Sequence, residues 1–293
     1  MSSVSLPAVL AACAVLACGL TAQAQQVVER PAFFRDVPGP PKARGDAGAD
    51  DHPHLNIFHG DVAARTQFPY QAAMYIDLSV FCGGSLINEK WVLTAAHCVD
   101  GGTTWYVLLG VTESLSPVQD GRKTYVTRGA YKHPSYDKYN IVNDVGLVQL
   151  MRPAALSQYI QTITLTPAGV SYIGQTATVS GFGRTDDANA SPISPVLRYT
   201  SLPIVDGKVC SAAYGQETGS DPSVICLKAE GSSSCKGDSG GPLTLKNAAG
   251  ELIQVGIVSF GAAAGCSYGK PVGYSNVAYL LPWISQTTGL DFS

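Results

Sequence analysis

From Gln71 onward, turn residues interrupt the sequence about every ten positions, and the runs between them are short and rich in β-branched and aromatic side chains. The pattern predicts strands at Gln71–Ile76, Gly84–Ile87, Trp91–Thr94, Thr104–Leu109, Thr124–Lys132, Asp144–Leu150, Ala177–Gly181, Val196–Val205, Pro242–Leu245, Leu252–Phe260 and Gly273–Val277. Helical spacing is confined to about Asp206–Tyr214 and Leu280–Thr287. Many short strands with so little helix predict an all-β barrel or sandwich. A chain of 293 residues, 45% hydrophobic, holds enough apolar surface for two such units.

The first fifth of the chain reads differently. Residues 6 to 20 form an apolar run too short to span a bilayer, and Ala22-Gln23-Ala24 follows as a small-residue cleavage site. This predicts a secretory signal at 1–24 and an extracellular protein, although Lys and Arg are missing from its start. No later segment could span a membrane. Residues 25–56 carry Pro31, Pro38, Pro40, Pro41 and Pro53 among scattered charges, without hydrophobic periodicity. Such a stretch cannot bury enough apolar surface to order itself. It reads as a propeptide, with a permanent N-terminal tail as the alternative. The formal charge of −3 gives no support to nucleic-acid binding.

Three segments carry chemistry. Thr94-Ala95-Ala96-His97-Cys98 comes first, then Asn143-Asp144-Val145-Gly146-Leu147 opening an apolar strand, then Gly237-Asp238-Ser239-Gly240-Gly241-Pro242. A serine hydroxyl is a poor nucleophile at neutral pH; it needs an imidazole to take its proton and a carboxylate to orient that imidazole. Gly-Asp-Ser-Gly alone is a weak signal, since it also describes an ordinary turn. Order and spacing make it specific: 47 residues (144 − 97) separate His97 from Asp144, and 95 (239 − 144) separate Asp144 from Ser239.

With these motifs the chain, from about Ile57 to its end, resembles the chymotrypsin family of serine proteases, and Gly181-Phe182-Gly183-Arg184-Thr185 resembles its arthropod digestive members. The resemblance implies two six-stranded antiparallel β-barrels, about 57–165 and 166–293, with a C-terminal helix and Thr162–Gly174 as the connection. It implies Ser239 as nucleophile, His97 as general base, Asp144 as its orienting carboxylate, and the Gly237 and Ser239 N–H groups as an oxyanion hole. Cysteine usage fits secretion: Cys13 and Cys18 leave with the signal, and six of the eight remain. Proximity and the family pattern pair them as Cys82–Cys98, Cys210–Cys226 and Cys235–Cys266. The first loop, of 15 intervening residues, should contribute about 3 kcal/mol by chain entropy.

Activation in this family frees an N-terminal ammonium that pairs with the Asp beside the nucleophile. Here that pairing would join Ile57 to Asp238 after a cut following Asn56, a residue no trypsin-like activator prefers. The resemblance places Ser233 at the base of the primary pocket, Gly261 at its wall and Val272 at its deep end, with Ser259-Phe260-Gly261 as the edge that pairs with substrate backbone. With no carboxylate at Ser233, the pocket is neutral and suits large apolar residues; an elastase-like preference for small ones is the alternative. A different alternative is an inactive binding module on the same fold. The expected partners are protein or peptide substrates, an activating protease and protein protease inhibitors. No cofactor, metal, nucleic acid or membrane is expected, and the chain should be a monomer. Asn189-Ala190-Ser191 is a glycosylation sequon weakened by Pro192. Gly110–Gly121 holds too few carboxylates for a calcium loop.

Overall fold

A computed structural model describes residues 31–33, 57–114, 116, 118–188 and 192–292. The signal segment, Asn56, the Asn189 sequon and most of 25–56 lie outside the described residues. The strand-and-turn pattern yields two antiparallel β-systems. In the first, Lys123–Thr127, Trp105–Leu109, Gln71–Ile76, Val80–Asn88, Trp91–Thr94, Gly146–Gln149 and Gly129–Lys132 are neighbours in that order. Its two outermost strands flank Arg128, so the sheet curls until its ends meet through the chain. The sequence pattern treats Thr124–Lys132 as one strand. The structure bends it at Arg128, where Thr127 turns its hydroxyl back onto the carbonyl of Gln149 (2.6 Å).

The second system closes fully. Leu252–Ala262, Pro242–Lys246, Thr176–Gly181, Arg198–Val205, Val224–Leu227 and Val272–Asn276 follow one another, and Val272–Asn276 pairs back onto Leu252–Ala262. The connection over 162–174 includes a two-residue strand, Thr164–Leu165, lying parallel to Ile253–Gln254. Each barrel is filled by the inward side chains of its alternating strands: Met74, Leu93, Val107 and Leu147 in the first, Val179, Leu243, Val255 and Tyr274 in the second. Helices are short: Ala96–Val99, Lys208–Tyr214, Gln216–Gly219 and the C-terminal Val277–Thr288, which packs Val277, Leu280 and Ile284 into the first core. All three expected disulfides are present.

Buried polar pairs stitch the barrels together. Ser85 donates to Gln254 (2.6 Å), Ser180 to Gln71 (2.7 Å) and Tyr70 to Thr244 (3.4 Å). Each such bond contributes about 0.5–1.5 kcal/mol net against the water that would replace it, so each pair resists separation of the barrels. One expectation needs correction. Within 25–56, read from the sequence as unable to order itself, Pro31–Phe33 forms a strand antiparallel to Phe260–Ala262 of the second barrel. Among the described residues, no helix is long and apolar enough to cross a membrane.

Candidate active site

His97 sits in the short helix Ala96–Val99, directly after the strand Trp91–Thr94, and Asp144 lies just before Gly146–Gln149. These strands pair antiparallel with Thr94 opposite Gly146, which brings together two residues far apart in sequence. The Asp144 carboxylate accepts from the His97 backbone N–H (2.9 Å) through Oδ1 and from His97 Nδ1 (2.7 Å) through Oδ2. An ionised carboxylate can only accept, so the ring proton sits on Nδ1. Both residues are buried, His97 at 2% exposure. Burial alone would raise the Asp144 carboxyl; the charge of His97 and hydrogen bonds from His97 and Ser259 outweigh it and hold it below the usual range. The second barrel steadies this segment: Ser259 donates to Asp144 Oδ2 (2.6 Å), Ser275 to the Asp144 carbonyl (2.6 Å), and Ser223 accepts from Asn143 N–H (2.9 Å).

Ser239 comes from the second barrel, and its main chain docks on the first. Its carbonyl accepts from Gly83 N–H (2.7 Å), and Thr94 donates to the Gly83 carbonyl (2.9 Å). Gly83 is required here, because a Cβ would stand 2.9 Å from the Gly241 backbone. The Cys98 sulfur lies 3.7 Å from the Ser239 carbonyl, so the segments bearing His97 and Ser239 are in contact. The Ser239 hydroxyl is buried with no hydrogen-bond partner among the described residues. Gly237 takes φ +97°, a conformation open to glycine, and the Gly237 and Ser239 N–H groups make no hydrogen bond among the described residues.

Asp238 is fully buried. It accepts from Gly183 N–H (2.7 Å) and Cys235 N–H (2.9 Å). Desolvation dominates, and these two bonds offset it only in part, so the carboxyl is pushed up to about 7. Ile57 is fully buried in the cluster that contains Cys235, and Phe58 bridges to Ser233. Ile57 also has φ +41°, a costly conformation for a β-branched residue. The Asp238 carboxyl carries a pH signature. Its folded pKa lies above the unfolded value near 3.9, so its contribution to stability is complete below pH 4 and is lost as pH rises through 7. The melting temperature of the intact chain should fall relative to its Asp238→Asn variant by roughly 5 °C or more between pH 4 and 8. Parallel melting curves for the two proteins would refute the assignment.

The residues expected at the edge and the pocket have these positions. Ser259, Phe260 and Gly261 lie at the end of the strand Leu252–Ala262, past most of its pairing with neighbours. Ser233 is buried and donates to the Ser234 carbonyl (2.9 Å), while Tyr274 donates to the Ser234 hydroxyl (2.9 Å). Val272 is buried in the second core, opposite Leu227. The sequence placed Ser259 only on the edge; its bond to Asp144 was missed, because a lone serine carries no local signal for a partner 115 residues away.

The Trypsin family model matches residues 57–284. The chain is 38% identical over 238 residues to brachyurin of Leptuca pugilator, covering 80% of this chain and 99% of that protein. It is 35% identical to a collagenase of Hypoderma lineatum (80% of this chain, 88% of that protein) and 36% identical to a chymotrypsin of Phaedon cochleariae (79% and 82%). A solved structure of HL collagenase superposes with a TM-score of 0.71 at 33% identity, over 80% of this chain and 99% of that one. The chain belongs to the trypsin family and is a serine endopeptidase.

Proposed function

We propose that this chain is the secreted zymogen of a serine endopeptidase acting through His97, Asp144 and Ser239, with a neutral primary pocket. The observation that carries the reading is the buried His97–Asp144 pair on a segment in contact with that of Ser239, whose hydroxyl makes no hydrogen bond among the described residues. In the reaction, His97 Nε2 takes the Ser239 proton as Oγ attacks the scissile carbonyl, and the Gly237 and Ser239 N–H groups hold the oxyanion. The proton then passes to the leaving amine. Water repeats the sequence on the acyl-enzyme and restores Ser239. Asp144 holds the imidazole tautomer throughout and stabilises the imidazolium. Residues 1–24 serve as signal and 25–56 as propeptide.

Specificity follows from the pocket base. Ser233 presents a hydroxyl already committed to Ser234, leaving no charge to pair with a buried Arg or Lys. An unpaired buried cation costs several kcal/mol, so basic residues are poor there. Burying an aromatic ring contributes roughly 2–3 kcal/mol, which favours large apolar residues. Buried Val272 supports the elastase-like alternative, since its methyls would narrow the deep end. Matched peptides ending in Phe, Leu, Ala or Arg before the cut bond test this by kcat/KM. Phe or Leu should exceed Arg by about 10²-fold or more. Arg ranking first would overturn the neutral pocket, and Ala well above Phe would establish the elastase-like alternative.

A further inference from the structure

Residues 183–187 follow the strand Thr176–Gly181 and bond to two other segments of the site. Toward the nucleophile, Gly183 N–H donates to the Asp238 carboxylate (2.7 Å) and Arg184 N–H to the Lys236 carbonyl (2.7 Å). Toward the pocket, the Asp187 carboxylate accepts from Cys266 N–H (2.6 Å) through Oδ1 and from Ser267 N–H (2.9 Å) through Oδ2. The Cys235–Cys266 disulfide closes the third side of this triangle.

Local sequence makes the Asp187 contact specific. The 3-10 turn Cys266–Tyr268 starts after Gly265, which has no side chain to satisfy the first N–H groups of the turn. Asp187 supplies that acceptor from 79 residues away. Gly265 makes room for it, since a Cβ there would stand 2.6 Å from the Asp187 carboxylate. Partial burial would raise the Asp187 carboxyl; hydrogen bonds from Ser267 and Cys266 and the charge of Lys236 outweigh it and hold it below the usual range. An ionised carboxylate on two N–H groups is the stronger, charge-assisted kind of hydrogen bond.

The anchored turn lies amid the expected pocket residues. Cys266 comes five residues after Gly261 (266 − 261) and six before Val272 (272 − 266), and its disulfide partner Cys235 comes two after Ser233 (235 − 233). Ala263, Ala264 and residues 267–270 are exposed, so little apolar packing holds this loop. Its position then depends on polar anchors and the disulfide. We propose that Asp187 is a positioning residue for primary specificity: by latching the 262–271 loop, it holds the pocket wall at the spacing that a large apolar side chain needs. This rests on the assignment of Ser233, Gly261 and Val272 to the pocket. A ring reaches the far wall and buries its surface there, whereas an Ala methyl stops near the mouth. Loss of the latch therefore weakens the hold on large side chains and spares small ones. That hold is the same in the bound substrate and in the transition state, so its loss appears in KM and leaves kcat.

Kinetics on peptide anilides ending in Phe or Ala, with each protein cleaved after Asn56, provide the test. Asp187→Ala should raise KM for the Phe peptide at least tenfold, with kcat and the Ala peptide's KM changed by less than about threefold. Asp187→Asn keeps an acceptor oxygen in the same place and should hold KM for Phe within about threefold of wild type. Equal losses on the two peptides would reveal a merely structural role and overturn the proposal, as would an Asn variant as impaired as Ala. The latch is also read without catalysis, by hydrogen exchange at Cys266 and Ser267 in the full uncut chain. Asp187→Ala should speed it at least tenfold, and equal exchange in the two proteins would remove the latch. Ser239-dependent hydrolysis with the same preference for Phe over Ala in Asp187→Ala would sink this inference and leave the protease reading intact. No hydrolysis by the cleaved wild type would sink both.

Discussion

Ser239→Ala is expected to lower kcat for a peptide amide by about 10⁶, and His97→Ala by nearly as much, while the double variant is no worse than either single. The two side chains act as one unit: a hydroxyl without its base and a base without its hydroxyl both leave only the oxyanion donors and binding. Residual hydrolysis of about 10³–10⁴ over water should survive in all three proteins, because Gly237 and Ser239 still offer their N–H groups. Steady-state kinetics on purified variants, with circular dichroism to confirm folding, checks this. Multiplicative losses in the double variant would mean that the residues contribute separately, and the triad assignment would fail.

Cutting the bond after Asn56 should raise kcat/KM by about 10²–10³, the value of a completed oxyanion hole. In the uncut chain Asp238 is a buried carboxyl held by two backbone N–H groups and pushed up to about 7, so near neutral pH it is only partly ionised. A new Ile57 ammonium would give it a partner and hold it ionised, fixing the Gly237 segment. Ile57 already occupies its buried position, at φ +41°. That angle is defined by the carbonyl preceding the residue, and cleavage removes that carbonyl. The strain, on the order of 1–3 kcal/mol, would vanish with the bond. The check is an activity time course during cleavage at Asn56, with N-terminal sequencing. Full activity in a protein beginning elsewhere, or unchanged activity after the cut, would contradict this mechanism. Trypsin should be ineffective at this bond, since Asn56 is not basic.

What could be read beforehand divides along physical lines. The pairing of His97 with Asp144 was legible because each lies in a short motif whose chemistry dictates its neighbours. The cysteine pairs were legible because spacing and family pattern agreed. Strand positions followed from alternation, to within a residue or two except at Val80–Asn88, which begins four residues before the expected Gly84. Other features were not legible. The bend at Arg128 arises from barrel curvature, which acts on a stretch of uniform β character. The parallel strand Thr164–Leu165 has too few residues to show any period. The pairing of Pro31–Phe33 belongs to the edge that receives it more than to its own composition.

The buried polar pairs across the seam bear on how such a protein survives its own kind. A protease meets its greatest threat in a neighbouring copy, which can cut only chain that has opened enough to lie extended in a cleft. If the barrels parted readily, their exposed edges would offer such stretches. Parting them here breaks the Ser85–Gln254 and Ser180–Gln71 bonds, a net loss of about 1 kcal/mol each, in addition to the apolar surface exposed. Opening the seam is thereby tied to global unfolding, which is slow and rarely visited. The same contacts that join the two barrels give the molecule its lifetime in a solution of protease.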